Sequence, residues 1–314
     1  DKMKKILITG STGMVGNALV RLLKKNYNLL TPNSKKLNLK NINNIKKYLK
    51  KNKPSHIVHL AGFVGGIGSN INNPVRYLED NILMGINLIK VARDLKVKNF
   101  INIGSSCIYP PNKIVPNDEK KLLSGKIEVT NEGYALGKIT CIKMCEYISR
   151  SYSFNYFSLI PCNIYGPFDK FNTLNSHVVG SLIKKMHNAI IENKKIVEIW
   201  GNGKAKREFI YVDDVARSIN KFMFSKKLTS KNIFWLNIGS GVDLDISSIA
   251  KKIAKEINFE GKFFYNKTKP NGAKSKLLNV KLSNKLGFKP KVNFSKGIKK
   301  TINWYLKNFA TTLS

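Results

Sequence analysis

The stretch Ile6-Leu7-Ile8-Thr9-Gly10-Ser11-Thr12-Gly13-Met14-Val15-Gly16 decides the fold of this 314-residue chain. Its aliphatic opening reads as a short strand of the buried parallel type, broken at once by glycine. Beyond the turn, Val15, Leu19, Val20, Leu22 and Leu23 recur at helical spacing. Strand, glycine turn and helix in that order open a βαβ unit. The three glycines permit a tight turn, close backbone approach to a pyrophosphate and close helix–strand packing. The helix N-terminus adds free N–H groups and a dipole that favours phosphate. Gly10, Ser11, Thr12, Gly13, Met14, Val15 and Gly16 are therefore candidate dinucleotide-binding residues.

The same alternation continues outward. Tyr27 to Leu30 reads as a second strand and Ile57 to Gly62 as a third, with an amphipathic stretch from Ile42 to Leu49 between them. A helical pattern from Tyr77 to Leu95 precedes the strand Phe100–Ile103, and one from Tyr134 to Tyr152 precedes Tyr156–Ile160. The pattern predicts an α/β protein: a Rossmann-type doubly wound parallel sheet with a smaller C-terminal α/β lobe that binds substrate. The expected division is residues 1–165 for the dinucleotide domain and 166–314 for the lobe, with a strand near 233–241 returning to the main sheet.

Composition bounds the function. The chain is 42% hydrophobic and 24% charged, the balance of a globular protein rather than a disordered one. No apolar run approaches the ~20 residues that span a bilayer, so no membrane association is expected. Four cysteines (Cys107, Cys141, Cys145, Cys162) form no pairing or ligand pattern, which fits a reducing, cytoplasmic setting and excludes a disulfide scaffold. A formal charge of +36 raises the question of nucleic acid. The basic residues are mostly lysines spread along the chain, with no basic stripe interleaved with aromatics, so nucleic acid is not an expected partner. Local phosphate recognition remains.

Two features carry chemistry. After the second strand, where an NAD site places Asp or Glu on the ribose hydroxyls, the chain has Thr31-Pro32-Asn33-Ser34-Lys35-Lys36. Hydroxyls and ammonium groups suit a 2′-phosphate, so NADP is the expected cofactor, held there by Ser34 and Lys35. Farther on, Tyr134 and Lys138 stand at i, i+4 on one helix face. A neighbouring ammonium is expected to lower the phenol pKa and ready it for proton exchange. Gly104-Ser105-Ser106-Cys107-Ile108-Tyr109-Pro110 ends the preceding strand, at the sheet edge where ligands bind, so Ser105 is placed to reach the same carbonyl as Tyr134.

GxxGxxG, Ser105 and YxxxK together resemble the extended short-chain dehydrogenase/reductase family. GSSCIYP, TNEGYALGK, PCNIYGP, NSHV, WGNGKAKREFIYVDDVA and TKPNGAKSKLLNV are similar to its GDP-L-fucose synthase branch, from residue 4 to about residue 308. The resemblance implies a 3,5-epimerase-4-reductase using NADPH on GDP-4-keto-6-deoxy-mannose. It implies Cys107 as the base and His177 as the acid at C3 and C5, with hydride then passing to C4 as Tyr134 gives the proton. Ser105 would polarise the carbonyl, and Lys138 would tune the tyrosine and hold the nicotinamide ribose. The chemistry asks for a positive group beside the thiol.

By the same resemblance Ala61, Gly62, Pro161, Asn163, Ile164 and His177 contact the cofactor. Val64, Gly65, Gly66, Ser106, Asn163, Lys185, Trp200, Arg207 and Asn271 contact the sugar nucleotide, with Lys185 and Arg207 on the diphosphate. Asn81 is a proton-relay or helix-bend residue or simply an exposed Asn, and a homodimer through the long helices near Asn81 and Tyr134 is implied. Asp213-Asp214 reads as a helix cap rather than a catalytic pair. Cys141 and Cys145 read as helix core and Cys162 as packing, and no role falls to His56, His59 or His187. Relatives often carry arginine where Thr12 and Ser34 stand, and a carboxylate where Asn271 stands. These departures leave open a C4-reductase acting on a related GDP-4-keto-6-deoxy sugar such as a heptose. None of them touches Ser105, Tyr134 or Lys138.

Overall fold

The computed structural model describes residues 3–111, 116–172, 176–269 and 274–309. β1 (Lys5–Thr9), α1 (Met14–Leu23), β2 (Asn28–Leu30), α2 (Ile42–Asn52) and β3 (His56–His59) come first. α3 (Ile67–Asn72), α4 (Pro74–Asp94), β4 (Asn99–Ile103), α5 (Glu132–Tyr152) and β5 (Asn155–Pro161) follow. The chain then leaves the sheet through β6 (Asn163–Tyr165), α6 (Val178–Ile191), β7 (Ile196–Trp200), β8 (Lys206–Tyr211) and α7 (Val212–Met223). It returns with β9 (Trp235–Ile238) and ends with β10 (Asp243–Asp245), α8 (Ile246–Ile257), β11 (Lys262–Asn266), α9 (Lys281–Lys285) and α10 (Phe294–Phe309).

Among the described residues the main sheet has six strands in the order β2-β1-β3-β4-β5-β9, every pair parallel. The doubly wound sheet expected from the alternation is the one the chain forms. Its aliphatic runs divide by the period-two rule. Ile6 and Ile8 enter the core shared with α1 and α7, while Leu7 faces the opposite core with Ile57, Phe100 and Tyr156. Cys141 and Cys145 lie in the second core and Cys162 in the first, all three as unpaired packing residues.

The strand order reverses at β1, which has β2 on one side and β3 on the other. This is the switch point at which open α/β sheets bind ligands, and it sets the Gly10 turn beside Ala61 and Gly62. The later elements build small sheets, β10-β8-β6 and β11-β7. α7, although it comes from the second half of the chain, packs along α1, and Arg21 pairs with Asp213 across them. The expected cap at Asp213-Asp214 is corrected: Tyr211 holds the cap position and both acids lie in the first turn. Asp214 is completely buried, pairs with Arg217 and accepts the Lys291 and Val292 N–H groups, so it anchors the approach to α10. No helix among the described residues is long and apolar enough to cross a membrane.

Candidate active site

The glycine loop is shaped by close approaches. Gly10 has φ +68°, and a Cβ there would lie 2.7 Å from the Ala61 nitrogen. A Cβ on Gly16 would overlap the Gly10 carbonyl, whereas one on Gly13 meets the same oxygen at 3.4 Å, an ordinary contact. Gly13 caps α1 without any side-chain bond, and the first turn carries no acid, so the helix amides face outward unpaired by side chains. Ser11 is buried, Thr12 and Gly13 are exposed, and Met14 and Val15 are half-buried. Ser34 and Lys35 are exposed in a turn that Asn33 closes by accepting the Lys36 N–H. An uncapped ten-residue helix behind a loop of this form, followed by a turn free of carboxylates, fits a dinucleotide bearing a 2′-phosphate.

The chemistry collects at the carboxyl ends of β3 and β4. Lys138 is 6% exposed and donates from Nζ to the Ile103 carbonyl at 2.9 Å. A Cβ on Gly62 would lie 3.5 Å from that Nζ, which places the Ala61-Gly62 stretch directly over the ammonium. The Lys138 Nζ lies 5.7 Å from the centre of the Tyr134 ring. The Ser105 hydroxyl accepts the Cys107 N–H at 3.4 Å, and it is one of the groups that favour the charged form of both the Tyr134 phenol and the Cys107 thiol. One hydroxyl thus bears on both the phenol and the thiol. Ser106 is buried in the same short turn, Ser106–Ile108.

The electrostatics correct two expectations. Burial raises the Tyr134 pKa well above its ordinary value, with the Cys107 sulfur adding to the rise and the Ser105 hydroxyl opposing it. Lys138, whose Nζ donates to the Ile103 carbonyl, is not among the groups that move it, and burial lowers the Lys138 pKa itself. Burial likewise raises the Cys107 thiol, against the pull of Lys276, the Ser105 hydroxyl and Lys138. The free protein therefore carries a phenol and a thiol. Beneath them His59 is held neutral, lowered to about 3 by burial and then by the Lys138 charge, and bonds Thr9 Oγ1 at 2.8 Å.

The opposite wall is the Val64–Gly66 loop. Asn81 is buried rather than exposed: its Oδ1 accepts the Phe63 N–H at 3.0 Å, and its Nδ2 donates to the Phe63 and Tyr77 carbonyls. It latches the loop. A Cβ on Gly66 would lie 2.8 Å from the Ser176 carbonyl oxygen, so this loop and the residue before His177 meet closely. Lys170 Nζ donates to the Val64 carbonyl at 2.7 Å across the same seam. His177 caps α6 with its backbone and has exposed area, yet the protein around its ring and the nearby Lys170 charge lower its pKa. Farther out, Lys185 Nζ donates to the Glu198 carbonyl at 3.0 Å and lies 5.9 Å from the Trp200 ring centre. Pro161 is buried and Ile164 half-buried beside Asn163, whose Nδ2 donates to the Glu208 carbonyl at 2.9 Å. Arg207 Nη1 donates to the Lys206 carbonyl at 2.7 Å. Asn271 lies outside the described residues.

The description "NAD dependent epimerase/dehydratase family" matches residues 6–239, which hold the glycine loop, Ser105, Tyr134 and Lys138. The chain belongs to this family. Within it, the chain is 46% identical over 304 residues to a GDP-L-colitose synthase of Yersinia pseudotuberculosis, covering 96% of this chain and 98% of that one. It is 38% identical over 306 residues to a GDP-L-fucose synthase of Azorhizobium caulinodans, covering 97% of both. Among solved structures, a GDP-mannoheptose C4 reductase from Campylobacter jejuni with NADP bound superposes with TM-score 0.85 at 30% identity, covering 97% of this chain and 99% of that one.

For this epimerase/dehydratase, three charged residues at the site escape a reading by motif alone. Lys269 Nζ lies 5.5 Å from the Trp200 ring centre, so two ammonium groups flank that indole. Lys170 crosses the seam beside His177, and the Lys276 charge, paired with Glu128, favours the Cys107 thiolate. Lys269 and Lys276 sit inside the quoted TKPNGAKSKLLNV segment, where the expected contact was Asn271. Spacing cannot say which of several lysines points inward.

Proposed function

We propose that this chain is an NADPH-dependent oxidoreductase that epimerises GDP-4-keto-6-deoxy-D-mannose at C3 and C5 and reduces C4, giving GDP-L-fucose. The Ser105 hydroxyl, which accepts the Cys107 N–H and acts electrostatically on both the Tyr134 phenol and the Cys107 thiol, carries the reading. It puts a proton donor for a C4 alkoxide and a proton-transfer group for an adjacent carbon around one small space. The relatives named for GDP-linked sugars support it, and so does the turn at Ser34 and Lys35. The division of labour assigns the cofactor to residues 1–165 with the strand near 233–241, and the sugar nucleotide to 166–314.

A ketone at C4 acidifies the C3 and C5 protons. Cys107 removes them as thiolate and His177 returns them on the opposite face as imidazolium. Both groups are neutral in the free protein, so the pair forms when a proton passes from thiol to imidazole, directly or through water. The cofactor, once bound, supplies hydride to C4. Ser105 then hydrogen-bonds the C4 oxygen and Tyr134 protonates it; the raised pKa keeps that phenolic proton in place until it is needed. Lys138 holds the Ile103 end of β4 and the floor of the cofactor site. Lys185, Arg207, Lys269 and Trp200 receive the nucleotide diphosphate end.

Turnover in D₂O tests the assignment. The expected product is GDP-L-fucose carrying deuterium at C3 and C5, with one NADPH consumed per product, as read by NMR and absorbance. No NADPH consumption with this substrate would overturn the reading. The high thiol pKa of Cys107 favours a second reading, reduction at C4 alone on a related sugar such as a heptose; consumption without deuterium at C3 and C5 selects it. Pairing of two copies through α4 and α5 belongs to the proposal. Exposed Val75, Leu136 and Tyr147 on those helices support it, and light scattering at micromolar protein tests it.

A further inference from the structure

We propose that Tyr109 is a positioning residue: its bond to the Asn237 carboxamide fixes the far end of the turn that carries Ser105 and Cys107. Tyr109 acts through those two side chains, so its role rests on reading them as groups that act on the sugar ketone.

The turn is anchored differently at its two ends. On the near side the Gly104 N–H donates to the Leu159 carbonyl at 2.8 Å, so the sheet itself holds the approach to Ser105. Within the turn the Cys107 N–H meets Ser105 Oγ at 3.4 Å, and the Ser105 and Ser106 carbonyls accept the Ile108 and Tyr109 N–H groups at 3.2 and 3.4 Å. Bonds of that length hold a shape only loosely. The far end is tied by a side chain instead. Tyr109 OH donates to Asn237 Oδ1 at 2.6 Å, with the tyrosine 3% and the asparagine 0% exposed.

Asn237 is itself held on every side. It lies on β9, paired with Ile160 of β5. Its N–H donates to Glu119 Oε1 at 2.9 Å, and the Glu119 carbonyl accepts the Trp235 indole N–H at 2.9 Å. Nδ2 donates to the Asn117 and Asn279 carbonyls at 3.0 and 3.2 Å, which uses both of its hydrogens. Those two residues are joined by backbone as well: the Asn279 N–H donates to the Asn117 carbonyl at 2.7 Å, and the Asn117 N–H to the Leu277 carbonyl at 2.8 Å. A carboxamide so fully engaged cannot turn, and it offers Tyr109 one fixed acceptor. The phenol stands two residues beyond Cys107, so that acceptor decides where the thiol turn stops. A reacting group misplaced by ~1 Å loses rate by ~10²-fold.

The four unpaired, buried cysteines report on whether the effect is local. Alkylation by iodoacetamide at pH 8, read by peptide mass on the sugar-free protein, should be ~3–10-fold faster at Cys107 in Tyr109→Phe, and unchanged at Cys141, Cys145 and Cys162. With GDP-4-keto-6-deoxy-D-mannose, kcat for NADPH oxidation should fall by ~10–100-fold while the Kd for NADPH, read by cofactor fluorescence, stays at the wild-type value. Tyr156→Phe is the control, because it also removes a buried phenol bond, to the Val97 carbonyl at 2.7 Å, far from the turn. It should leave Cys107 alkylation and kcat as in the wild type. Asn237→Ala breaks the same tie from the other side, so adding Tyr109→Phe to it should not speed Cys107 further. If Asn237→Ala does not fold, the Tyr109→Phe arm decides. All four thiols speeding together, Cys107 unchanged, Cys107 faster with kcat intact, or Tyr156→Phe acting like Tyr109→Phe each overturns the proposal. A wild type that consumes no NADPH with this sugar would remove the functional reading, and the alkylation arm would still decide the tie.

Discussion

Tyr134 is a half-buried phenol whose proton is held more tightly than in water, and that suits a donor rather than a base. Tyr134→Phe keeps the ring and its edge-to-face contact with Tyr77 but removes the proton, so NADPH oxidation should fall by ~10²–10⁴ with an unchanged melting temperature. Cys107→Ser should leave NADPH binding intact, as read by cofactor fluorescence, while deuterium exchange at C3 and C5 is lost. Ser105, Tyr134 and Lys138 could be singled out in the sequence by spacing and the strand end, whereas Cys107 came forward only by resemblance to the family. The sign of the Tyr134 shift was not legible. It depends on desolvation within the fold and on the Cys107 sulfur, and the packing that sets both comes from residues far away in sequence.

The β1–α1 junction makes a contrast that single residues can test. A methyl at Gly16 collides with the Gly10 carbonyl, whereas one at Gly13 has room, and Gly13 has φ −77°, a value open to any residue. Gly16→Ala should cost about 2–3 kcal/mol of stability, as read by denaturant melts. Gly13→Ala should melt like the wild type and bind NADPH several-fold more weakly, because its methyl lies in the loop offered to phosphate. A Gly16→Ala protein as stable as the wild type would contradict the close packing. Most strands of the main sheet were legible because apolar residues run through them, and the three-residue β2 because it follows the first helix in the βαβ order. β6 and β10, at three residues each, were not. A segment so short holds no period, and only the partner strand β8 defines it.

At the scale of the molecule, the buried carboxylate of Glu208 ties β8 to the backbone after β9 and to the segment before α9. It is fully buried, accepts the Gly241 and Leu278 N–H groups at 2.7 and 2.9 Å, and is pushed by burial from 4.5 up to about 7. Between those values the native protein holds a proton that the unfolded chain has lost, so this group's stabilisation falls as pH rises through the window and levels off above it. His59 acts oppositely: its contribution is complete above 6.5 and is lost as pH falls toward about 3. Comparing melts of the wild type and Glu208→Gln from pH 5 to 8 isolates the carboxylate. The difference between them should change steadily up to about pH 7 and then stay constant. A difference independent of pH would contradict the assignment.

The amide of Asn237 also bears on any attempt to retarget the protein. It sits on β9, in the part of the chain that returns to the main sheet, yet it holds Tyr109, Asn117 and Asn279 at once. A graft that replaces the residues after β5 with a foreign segment must therefore bring a matching contact for this carboxamide. Without it, the grafted segment would arrive intact but out of register with the Tyr109 end of the turn it must meet.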